Sequence, residues 1–160
     1  MKIPFEQLPD DARIWIYQAN RAFTDQEIKE LKPALGQFIE QWTAHGSNLH
    51  AGYDLPYKRF IVLGLDQDIA NASGCSIDAS VHFIQELEKA FEVDLLDKMN
   101  VTFKQGEYLT HKSLMDFKKM VKKRSVSPKT IVFNNLVNTK EEYKHYWEVP
   151  LQESWHKRFL

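Results

Sequence analysis

Between Arg13 and Lys104 the chain switches repeatedly between two hydrophobic patterns, and the order of those switches constrains its fold more than any other feature. Segments 13–19, 49–53, 59–65 and 101–104 are rich in branched and aromatic residues and read as strands. Between them, Ile28, Leu31, Leu35, Phe38, Ile39 and Trp42 recur at helical spacing, as do Ile77, Val81, Ile84, Leu87 and Phe91. The order is therefore strand, helix, strand, strand, helix, strand.

That order predicts an α+β fold with a ferredoxin-like βαββαβ core over 13–104, two helices covering one face of an antiparallel sheet. Local signals agree. Thr24 and Glu27 form a capping box at the start of the first helix. Pro33 is expected to kink or restart that helix, and Gly46 to cap its end. Residues 105–160 predict an extension of helix, strand and helical tail within the same single domain. Thr110 is placed to cap its first helix, whose core face is Leu114, Phe117 and Val121; Thr139 begins a second capping box. Trp147 and Trp155 suggest that the tail docks on the body.

Chain reversals then gather distant residues at one rim of the sheet. If the first strand runs up, its helix descends to His45, the second strand begins at His50, the third ends near Asp66, and the second helix starts at Cys75. Ser73, Gly74, Cys75, Ser76 and Asp78 surround that helix start, with Asp78 read as a first-turn acid. Free amides and hydroxyls there suit a small anion, with Arg13 and Lys104 as counter-charges. The same amides would stabilise a Cys75 thiolate, Asp78 would oppose it, and His45 or His50 would serve as base in a thiol-dependent enzyme. The plain alternative is that Cys75 is a small buried hydrophobe, the serines are caps, and the domain is structural or binds other proteins. His45, His50, Asp66 and Asp68 match no recognised metal-site spacing, so neither metal nor cofactor is expected.

Residues 41–46, 73–78 and 154–159 together resemble a small, uncharacterised bacterial family that has carried the label of ABC transporter ATPase. The resemblance implies a bacterial protein and supplies no catalytic residues. It does not extend to ATP hydrolysis: no GxxxxGK[ST] run is present to cradle phosphates.

Composition limits the remaining classes. The 160 residues include one cysteine, so no internal disulfide can form. No apolar run approaches a membrane span, and the first ten residues lack an apolar signal core, so a cytoplasmic location is expected. A formal charge of −1 argues against nucleic acid as a partner, and the cluster Lys118, Lys119, Lys122, Lys123 and Arg124 reads as a solvated helix end. A small anionic ligand and a homodimer through the sheet remain the expected partners.

Overall fold

The computed structural model describes residues 1–43, 49–66 and 74–160, with only the main chain at 74–76. Two units emerge, Met1–Leu96 with Asn138–Lys140, and Asp97–Val137 with Glu141–Leu160. Each carries an antiparallel sheet, and the class is α+β.

The first unit contains β1 (Arg13–Gln18), α1 (Asp25–Trp42), β2 (Ala51–Asp54), β3 (Phe60–Leu65) and α2 (Gly74–Phe91), with strand order β1-β3-β2. Every residue of β3 is buried, as its unbroken apolar run requires. Its Ile61, Leu63 and Leu65 share a core with Leu31, Leu35 and Ile39 of α1 and Ile84 and Leu87 of α2. At Gly64, a Cβ would stand 2.6 Å from Leu8 and 3.1 Å from Phe5 of the N-terminal segment. That segment also lies along β2, where the Ile3 N–H donates to the Ala51 carbonyl at 2.9 Å. Gly52 is glycine because a Cβ would meet the Ile3 main-chain oxygen at 2.7 Å.

The capping box of α1 forms as expected: Thr24 Oγ1 accepts the Glu27 N–H at 3.1 Å, and Glu27 accepts the Thr24 N–H at 2.9 Å. Glu27 also receives the Arg21 guanidinium at 2.8 and 2.9 Å. These donors, the Arg21 fork foremost, hold the carboxyl near pKa 2. Pro33 does not restart the helix, which runs through it in one span. The proline is exposed, so water can solvate the carbonyl its ring leaves without a donor. The expected glycine cap at Gly46 lies outside the described residues. Ile77, expected on the core face of α2, is 38% exposed.

The predicted fourth strand does not complete this sheet. β4 (Asn100–Gln105) pairs with β5 (Tyr108–Ser113) and β6 (Ile131–Phe133) in the second unit, where the order is β5-β4-β6-β7 and β7 is Glu148–Pro150. Gly106, at φ +62°, opens a two-residue turn that brings β5 back onto β4 with little loop to close. The edge beside β1 is taken by residues 138–140: the Ile14 N–H donates to Asn138 and the Lys140 N–H to Ala12.

The strand β5 also displaces the expected helix start. Thr110 lies mid-strand, and Ser113 caps α3 (Leu114–Lys122) by accepting the Asp116 N–H at 3.1 Å. The second core joins Val101 and Phe103 of β4, Phe117 of α3, Val132 of β6, and Val126 and Leu151. After α4 (Lys140–Tyr146) and β7, two 3-10 turns, Leu151–Glu153 and Trp155–Phe159, end the chain. Leu151, Ser154 and His156 are buried, so this tail is docked within its unit. Among the described residues, no helix is long and apolar enough to cross a membrane.

Candidate functional site

The β-sheet register of the first unit defines a rim. Leu65, the last residue of β3, faces Arg13 at the start of β1 and Ala51 at the start of β2. One step beyond, the Asp66 N–H donates to the His50 carbonyl at 2.9 Å. Helix α1 ends at the same level, because Trp42 meets Trp15 edge-on with ring centroids 5.6 Å apart. Helix α2 ends far from it: Phe91 packs on Phe23, and its carbonyl accepts from Arg21 at 2.6 Å, beyond the other end of β1. An 18-residue helix spans about 27 Å, so the opening turn of α2, Gly74-Cys75-Ser76, returns to the rim.

Arg13, His50 and Asp66 therefore share one rim with the first amides of α2. His45, Asp68 and Ser73 lie outside the described residues, and of Cys75 and Ser76 the main chain alone is described. Two placements differ from expectation. Asp78 is exposed and stands in the second turn of α2; the first turn, as described, holds no acid. The reason is that the helix begins at Gly74 and so passes the cysteine before reaching the aspartate. Lys104 belongs to β4 and hence to the second unit, where its ammonium pairs with Glu148 at 3.1 Å.

Arg13 is the notable charge at the rim. Its guanidinium lies 5.3 Å from the centre of the Trp15 ring, which gives it a π face. The ion pairs Arg21–Glu27, Lys58–Asp25 and Lys104–Glu148 do not involve Arg13, which has no carboxylate partner among the described residues. His50 is half-buried. Arg59 offers a buried Nη1 without a hydrogen-bond partner, but its carbonyl accepts from Ala19, at the opposite end of the sheet. No group of three His, Cys, Asp or Glu among the described residues is arranged to hold a metal ion.

Sequence reasoning passed over a polar pair in the second core. Ser154 Oγ lies 2.7 Å from His156 Nδ1, both residues are 2% exposed, and Trp155 stacks on the imidazole at 4.0 Å. Burial lowers the His156 pKa from 6.5 to about 4. The unfolded chain thus binds a proton more readily than the folded one. The stability contributed by the neutral ring is complete above pH 6.5 and lost as pH falls toward 4, by about 3 kcal/mol in all. Urea midpoints across that interval should fall more steeply for the wild type than for His156→Phe. Equal slopes would show that the ring protonates in place without cost.

Compared with protein families, curated proteins and solved structures, the chain matches none.

Proposed function

We propose that the chain is a binding module for a small anion, a carboxylate or phosphate, held at the rim of the first sheet. Arg13 is the charged anchor, the opening amides of α2 at Gly74, Cys75 and Ser76 are the directional donors, and His50 stands beside them. The observation that carries this reading is half-buried Arg13, its guanidinium over the Trp15 ring and without a carboxylate partner among the described residues. A guanidinium so placed loses part of its hydration and recovers that loss when an anion arrives.

Thermal unfolding with phosphate, citrate and nucleoside phosphates tests it. An anion at a hundred times its dissociation constant adds about 2.7 kcal/mol. The expected result is a shift for the wild type that Arg13→Gln removes without altering the unliganded melting temperature by more than a degree or two. Equal shifts in both proteins, or none with any anion, would refute it.

A thiol-dependent enzyme is the second reading, favoured by the main-chain position of Cys75 in the first turn of α2, ahead of Asp78. The helix start then stabilises the thiolate, while Asp78, three residues on and on the same face of the helix, opposes it. Alkylation of Cys75 already fast at neutral pH would support catalysis; reaction only after denaturation would exclude it. We read the first unit as a ferredoxin-like plan without its fourth strand, supported by the β1-β3-β2 order and the α1 crossover from β1 to β2. A bacterial source, a cytoplasmic location and a homodimer belong to the same reading.

A further inference from the structure

The whole-chain charge of −1 conceals a segregation. The first unit holds nine Lys and Arg against fifteen Asp and Glu, a balance of −6; the second holds twelve against seven, a balance of +5. Much of the positive excess lies on one surface. In α3, Phe117 faces the core while Lys118, Lys119 and Lys122 are exposed, and the exposed Lys123 and Arg124 follow in its cap. The terminal 3-10 turn packs against this helix. Phe117 meets Phe159 and His156 with ring centroids 6.4 and 6.1 Å away, and Lys118 Nζ stands 5.2 Å from the Phe159 ring. Lys157 and Arg158, both exposed, belong to that same turn. None of these seven cations takes part in the ion pairs of the described residues.

The helix dipole explains one or two cations in a last turn, each worth a few tenths to about 1 kcal/mol. Seven exposed cations on two adjoining elements repel one another, and their spread along a helix and a turn suits an extended polyanion better than a small one. The pairs Lys118–Lys122 and Lys119–Lys123 repeat at about 6 Å along the helix. Beside them lie the partly exposed rings of Trp155 and Phe159, surfaces on which bases can stack. We propose that α3 and the terminal turn form a binding face for single-stranded nucleic acid, gripping its phosphates without regard to sequence. This face is distinct from the rim around Arg13.

The test is fluorescence anisotropy of labelled single-stranded RNA and DNA with the full chain, across a salt series. Binding should weaken linearly in log–log form as salt rises. Replacing Lys118, Lys122 and Lys157 together by Gln should lower affinity about tenfold or more and flatten the salt slope. The exposed pair Lys29 and Lys32 of α1, replaced likewise, should leave binding unchanged. Absence of binding at low salt, or equal losses in both variants, would overturn the assignment. So would displacement by polyglutamate as efficient as by unlabelled oligonucleotide, which would mark the face as a site for acidic proteins instead.

Discussion

Phe117→Ala is expected to cost about 3–5 kcal/mol, the range for deleting an aromatic side chain from a packed core. Phe117 is fully buried and stands where three elements of the second unit meet. Its ring is 5.2 Å from Phe103 of β4 and within 6.4 Å of His156 and Phe159 of the terminal turn. It is also the fully buried residue of α3, since Leu114, Met120 and Val121 are only partly covered. Without it, both the helix and the turn lose their common support, and the basic face they carry loses its shape. Urea unfolding measures the loss, and hydrogen exchange should show it concentrated between Leu114 and Lys122. A cost below about 1 kcal/mol would mean that α3 is held by something other than this contact.

Lys140→Met should be nearly as damaging, at about 3 kcal/mol. Lys140 is 7% exposed, and its ammonium is bound by main-chain oxygens: it donates to Glu6 at 2.8 Å and Leu8 at 2.6 Å. The Phe5 ring lies 5.9 Å away. Methionine fills the same space but leaves both carbonyls without their charged donor, and the cost of an unsatisfied buried acceptor exceeds the net worth of a bond. The N-terminal segment that covers Gly52 and Gly64 should loosen first, seen as faster amide exchange at Ile3 and Leu8. A variant as stable as the wild type would show that water replaces the ammonium at no cost.

What the sequence discloses follows from how strongly each segment is buried. The stripe of α1 and the unbroken run of β3 were legible because each is covered by a large core, and the Thr24–Glu27 box because it is local chemistry. Strand β5 was not legible. Its residues Tyr108 to Ser113 sit at a sheet edge, half exposed, with polar residues on both faces, so no alternation marks them. Gly106 is the local cue to the turn, while Thr110 imitates a helix cap. Strand β7 is three residues long and ends in Pro150, too short for any period. That β4 belongs to a second sheet is equally hidden, since residue order does not name a strand's partner.

At the rim, strand direction was enough to bring Arg13, His50 and Asp66 together, because short antiparallel connections leave few alternatives. The turn occupied by Asp78 depended on where α2 begins, which shifts by one or two residues without altering the hydrophobic pattern. Lys104 is tied to the rim only through its strand, and that strand pairs in the sheet of the second unit. The segregation of charge is hidden in the sequence because a sum over 160 residues cancels it.

Amide chemical shifts recorded while phosphate is titrated into the full-length protein address the anion site directly. The largest changes should fall on the N–H groups of Gly74, Cys75 and Ser76 and on the side-chain Nε of Arg13, and should vanish in Arg13→Gln. Changes confined to the lysine-rich end of α3, with the opening turn of α2 silent, would contradict a ligand at this rim.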